Sequence, residues 1–227
     1  MIIDTKVSVY YKNIKNLHIK VKPSGAVCVS APYGFSLDKI YSLLLQKMSW
    51  INKHQQNFKN KPRDFDRYYV SGEYYYFRGQ RYQLEVVPCK SKSIVFVQDK
   101  DILCMHASTK LTQLGRAKLL EAWYRANLME QLSQIVPRWA SKIQVPIPEY
   151  RVKQMKTRWG TCNVAAKRIW INLELIKKPD SCLEYVVVHE LVHFLERTHN
   201  NRFKFLMTKF LPDWQVKHNI LSNYFVF

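Results

Sequence analysis

His189, Glu190 and His193 are the residues of this chain best suited to chemistry. Two histidines four positions apart stand on one face of a helix, so their imidazoles converge on a single ion. Zinc suits such a pair. It takes imidazole nitrogens at about 2.0–2.1 Å, and in catalytic sites it keeps one position open for water. Glu190, beside the first histidine, reaches that water rather than the metal and takes its proton as general base. A third protein ligand is required. His199, ten residues after His189, meets the need best, because three histidines leave the fourth position open. Glu196, Asp213 and His218 are the alternatives, with Glu196 expected on the exposed end of the helix.

These side chains need a helix to hold them. From Leu183 to about Leu195 the chain is apolar nearly all round, with Val186, Val187, Val188, Leu191, Val192 and Phe194. A helix of that kind belongs in a core, where polar groups are costly unless partnered. Ser181 and Glu184 have the spacing of a capping box. Upstream, Arg151–Lys156 leads into Thr157–Cys162. A turn over residues 163–167 and a strand at Arg168–Asn172 complete a short β hairpin beside the helix.

The first 110 residues read as mostly β. Segments at 7–11, 17–21 and 26–30 alternate with strand period, with a Pro23-Ser24-Gly25 turn before the third. One helix interrupts: Ser36 is its N-cap, and Ile40, Leu43, Leu44, Met48 and Ile51 form its stripe. Asn57–Arg67 reads as a loop. Two hairpins follow, around Arg78–Arg81 and Asp99–Asp101. The tyrosines at 74–76 are expected on a packed sheet, the other reading being a base-stacking platform. After Thr112 a helical stripe runs from Leu119 to Ile135, and Pro137 is expected to kink or end it. The domain boundary is placed near residue 110.

Bulk properties narrow the classes. The length of 227 residues and a hydrophobic content of 47% suit one or two globular domains rather than a disordered or fibrous chain. No stretch approaches the ~20 apolar residues of a membrane span, and the first residues carry no secretory signal, which points to the cytoplasm. Five scattered cysteines without a C-x-x-C pair argue against both a disulfide framework and a cysteine zinc knuckle. The net charge of +19 attracts polyanions, so nucleic acid is an expected partner through the basic surface.

With these residues in place the chain resembles the YgjP-like metallopeptidases, relatives of the SprT-like zincins. The matching pieces are TRWGTC at 157–162, the I-x-x-N-L-x-L-I stretch from Ile169 to Ile176, and YVVVHELVH followed by His199 and Phe203. The PSG turn, a helix ending near Trp50-Ile51, and a Y-x-x-G-x-x-Y segment extend the likeness into the N-terminal half. Thr161 stands where family members usually have Ser, which keeps the hydroxyl. Metzincins also place a third histidine ten residues on, but with a Gly at the helix break, where this chain has Glu196.

The resemblance implies an α+β fold: a mostly-β region over 1–110, then a small zincin-like domain over 111–227. It implies His189, His193 and His199 as zinc ligands and Glu190 as base. It also implies a protein or peptide substrate, and the SprT-like relatives act on proteins bound to DNA. In zincins an edge strand beside the active helix holds an extended peptide; Ile169–Asn172 is the expected strand here. Trp159 and Trp170 are candidates to line the cleft, the alternative being that both pack on the helix. Arg158 is a candidate to bind substrate by stabilising an oxyanion, the alternative being a structural ion pair.

Two other functions compete. A metal-dependent nucleotide phosphohydrolase would use Lys153, Lys156 and Arg158 for phosphates, but no Gly-rich phosphate loop is present. A nucleic-acid-binding module with a structural zinc would leave Glu190 without a role, and structural sites usually close the fourth position with cysteine.

Overall fold

The computed structural model describes residues 7–22, 24–59 and 67–222. Contacts divide the chain into two compact units, 1–67 and 68–227. The expected loop over 57–67 falls largely outside the described residues.

In the first unit three strands, β1 (Val7–Lys12), β2 (His18–Val21) and β3 (Val27–Pro32), form a sheet in the order β1-β3-β2. β1 runs parallel to β3 and β2 antiparallel to it. Val27, Val29 and Ala31 alternate onto the buried face and meet Ile40, Leu44 and Ile51. Those three come from α1 (Leu37–Gln46) and α2 (Met48–Lys59). The Lys39 N–H donates to Ser36 Oγ at 3.3 Å, the expected cap. The single expected helix is in fact broken at Lys47. Neither Gly nor Pro marks the break, so the apolar stripe reads straight through it.

The second unit opens with four strands: β4 (Tyr74–Phe77), β5 (Gln80–Cys89), β6 (Ile94–Val97) and β7 (Ile102–Ser108), in the order β4-β5-β7-β6. Both hairpin turns lie where expected. Arg78 and Gly79 have φ of 51° and 82°, the left-handed pair of a two-residue β turn. Tyr75, Phe77, Tyr82 and Leu84 face the core, while Tyr74 and Tyr76 lie on the exposed face. The tyrosine cluster is thus split by strand alternation.

A long helix, α3 (Gln113–Ile143), crosses this sheet's core face and buries Tyr124, Leu128, Leu132 and Val136. It continues through Pro137 to a left-handed cap at Gln144. A proline inside a helix costs about 3 kcal/mol; burial of Trp139, Ala140 and Ile143 beyond it offsets that, at roughly 1.5–3 kcal/mol per large apolar side chain. The same contacts explain why the break between units lies at 67/68 and not near 110. β4–β7 share one core with α3 and everything after it.

The remaining elements build the site. β8 (Glu149–Lys153), β9 (Gly160–Asn163) and β10 (Arg168–Asn172) form a sheet in the order β8-β10-β9. After a 3-10 turn at Leu173–Lys177 come α4 (Asp180–Val192), α5 (Asn201–Phe210) and α6 (Trp214–Ser222). In α4, Val187, Val188, Leu191 and Val192 are all wholly buried. The expected capping box does not form, because the helix begins one residue early, after Pro179, with no side-chain cap. Asp180 pairs instead with Arg78 of the β4–β5 turn. Glu184 is taken up by Arg138, Trp139 Nε1 and Lys217. Among the described residues no helix is long and apolar enough to cross a membrane.

Candidate metal centre

α4 carries His189 and His193 on its last turns, and the chain then turns sharply. Phe194 and Leu195 close back on Leu191 and Val192, and Asn200 caps α5 through the Phe203 N–H. This short loop swings His199 back over the end of α4. The Nε2 atoms of His189 and His199 lie 2.9 Å apart. The centroids of the three rings are 4.8–4.9 Å from one another, and Phe203 packs against all three at 4.7–4.9 Å. Together the three histidines form a cluster able to hold a metal ion.

The donor set fits a metal in its protonation as well as its placement. His193 Nδ1 lies 3.0 Å from the Glu196 carbonyl oxygen. A carbonyl only accepts, so Nδ1 carries the proton and Nε2 keeps its lone pair for the cluster. Burial, then the neighbouring histidines, pushes the His189 pKa down to about 3, and burial also lowers that of His193. Neutral imidazole is the form that ligates. The alternative ligands are not part of the cluster. The Glu196 carboxylate faces the Thr198 N–H and hydroxyl, Asp213 pairs with Lys217, and His218 stacks edge-on against Tyr185.

Glu190 is the one acidic group among the described residues lining the cleft and is only 5% exposed. Burial raises its pKa to about 8, with the positive charge of Arg158 pulling the other way. Its neighbour is Gly160. A methyl group built on Gly160 would stand 2.5 Å from Glu190 Oε1 and 2.9 Å from Cδ, inside any van der Waals contact. Gly160 thus marks the place where the carboxyl lies flat against β9. The sequence carries a signal for this, since glycine within a strand often marks a close approach.

Asn172 is another residue whose role the sequence hid. It is wholly buried, and its amide makes four hydrogen bonds. Oδ1 accepts from the Met155 and Glu174 N–H groups, and Nδ2 donates to the Met155 and Arg158 carbonyls. It fastens the loop 154–159 that delivers Arg158, Trp159 and Gly160 to the site.

A cleft of about 840 Å³ opens over the three histidines. Arg158, Trp159, Tyr185, Cys162, Arg197 and His218 are among its walls, with Glu190 at its base. Burial, then the charge of Glu190, pushes the Cys162 thiol and the Tyr185 phenol each up to about 12, so both stay protonated. All four residues of β9 line the cleft. β9 is the edge of its sheet, bonded only to β10. The expected edge strand, Ile169–Asn172, is instead central, with β8 on one side and β9 on the other. Trp159 is in the cleft, but Trp170 is not. Ile169 and Ile171 point into the core, so alternation turns Trp170 to the opposite face, under Lys153 and Arg151 at 4.8 and 5.6 Å.

No curated protein matches the chain. Two solved structures resemble part of it. The metallopeptidase zymogen of Pyrococcus abyssi abylysin is 15% identical with a TM-score of 0.37, over 40% of this chain and 92% of that one. The metallopeptidase zymogen of Methanocaldococcus jannaschii jannalysin is 18% identical with a TM-score of 0.34, over 39% and 93%. Both likenesses are distant and partial. The family match is of another order: the YgjP-like metallopeptidase domain covers residues 15–224, nearly the whole length. The chain belongs to the YgjP-like metallopeptidases.

Proposed function

We propose that the chain is a zinc-dependent peptidase in which Glu190 is the general base and His189, His193 and His199 hold the metal. The observation that carries this reading is the convergence of three imidazoles beside a buried carboxyl, under a cleft walled by a free strand edge. Zinc bound there would polarise the scissile carbonyl and make water acidic enough to attack near neutral pH.

The chain's own residues supply the rest. The open edge of β9 offers main-chain groups to an extended peptide. Glu190, held against Gly160, accepts a proton as the water oxygen bonds to the carbonyl carbon. It returns that proton to the nitrogen as the C–N bond breaks. Arg158 and Trp159 stand where they contact the bound chain. The all-imidazole donor set suits zinc, and it disfavours magnesium and calcium, which take oxygen ligands. The nucleotide hydrolase reading has no glycine-rich phosphate loop to support it.

Metal removal tests the proposal. Chelation is expected to abolish cleavage of an unfolded polypeptide, and one equivalent of zinc to restore it. Cleavage that survives chelation, or phosphate release from nucleoside triphosphates without peptide cleavage, would contradict it.

The Gly160 contact gives a sharper prediction. Gly160→Ala is expected to push the Glu190 carboxyl off its seat and lower kcat about a hundredfold, the scale of a 1 Å misplacement. Metal content and KM should change little. The double variant Gly160→Ala/Glu190→Asp, whose shorter acid clears the methyl, should be no slower than Glu190→Asp alone. Undiminished kcat in Gly160→Ala would show that the contact does not position the base.

A further inference from the structure

Apart from buried Glu190, the formally charged side chains lining the cleft are two arginines, Arg158 and Arg197. They stand on the two loops that build the site. Arg158 lies just before β9, and Arg197 lies between His193 and His199. Both are exposed. Neither guanidinium has an ion-pair or hydrogen-bond partner among the described residues. Five arginines elsewhere in this unit pair with carboxylates: Arg78 with Asp180, Arg125 with Glu121, Arg138 with Glu184, and Arg151 and Arg168 with Glu149. An unmatched guanidinium in a substrate cleft presents a planar fork of donors that fits a carboxylate two bonds at a time. Two acids are nearby: Glu190 is turned inward against Gly160, and the Glu196 carboxylate accepts from the Thr198 N–H and hydroxyl.

We propose that the cleft selects acidic segments of polypeptide, with Arg158 and Arg197 binding substrate carboxylates on either side of the metal centre. This rests on the peptidase reading above and names its substrate class. A cleft whose free charges are all positive repels lysine and arginine side chains as well as attracting glutamate and aspartate, so both effects widen the discrimination.

Binding and cleavage test it separately. Zinc-loaded Glu190→Gln chain, which should bind without cutting, is titrated with two labelled unstructured peptides. They are identical except for glutamates in one and lysines in the other. The glutamate peptide is expected to bind about tenfold tighter, about 1.4 kcal/mol shared between two exposed ion pairs. The whole molecule is basic, at +19, so the effect must be localised. Arg158→Glu/Arg197→Glu in the same background should erase or reverse the preference. Lys90→Glu/Lys92→Glu, an equal charge change at exposed positions outside the cleft, should leave it in place. Equal affinity for the two peptides overturns the proposal. So does an equal loss of preference in both double variants, which would assign it to the general field of the protein. Failure of the zinc-loaded wild-type chain to cut any peptide would sink the peptidase reading instead, and the binding comparison would still decide whether the cleft selects acids.

Discussion

Glu190→Gln is expected to lower the rate of peptide cleavage by about 10²–10⁴-fold, the usual contribution of a general base, while leaving fold and metal content intact. The amide has the carboxylate's shape, so it fits the same slot beside Gly160, where 2.5 Å separates Oε1 from the place a methyl would fill. It cannot accept the proton. The side chain is nearly buried, yet its burial is not part of the metal cluster, which comprises His189, His193 and His199. Elemental analysis of the purified variant separates the two roles. A metal content reduced by half or more would make Glu190 a ligand and remove the base from the mechanism.

His199→Ala is expected to weaken zinc binding by more than about a hundredfold. Loss of a residue that merely orients a ligand costs about 10–100-fold, so loss of a ligand should exceed that. Two histidines on α4 would remain, with nothing across from them. Asp213→Ala and His218→Ala should leave the affinity unchanged. Asp213 is held by Lys217 at 3.1 Å, and the His218 ring is 5.9 Å from Tyr185. Competition with a chelator of known affinity reads all three. Unchanged affinity in His199→Ala, or a loss in Asp213→Ala, would overturn the three-histidine assignment.

The parts of this site that were legible in the sequence are those written in one element. The pair His189 and His193 is fixed by helical spacing, and the burial of their helix by its unbroken apolar surface. His199 lies beyond the helix end, where no periodicity applies; its candidacy came from the need for a third ligand, and the loop that returns it was not readable. Strand order was not readable either. β8 joins the sheet in parallel across a loop fastened by Asn172, which makes β10 central and leaves β9 as the edge. The pattern of alternation is the same for edge and central strands, and it could not say that Trp170 faces away from Trp159. The boundary near 110 followed a change from strand to helix patterning. Such a change marks a new element, and here the sheet and α3 bury their faces against each other. The capping box failed because α4 starts at Asp180, one residue before Ser181, and Glu184 is held by Arg138, Trp139 and Lys217, 46, 45 and 33 residues away in the chain. Spacing within a helix cannot register partners so distant.

X-ray absorption at the zinc edge of the zinc-loaded protein tests the central claim most directly. Imidazole rings give a distinctive multiple-scattering pattern, and zinc–sulfur bonds stand apart in length. The expected result is one zinc per chain with three imidazoles at about 2.0–2.1 Å and no sulfur. Two imidazoles, or a sulfur at about 2.3 Å recruited from Cys162 in the cleft wall, would contradict it.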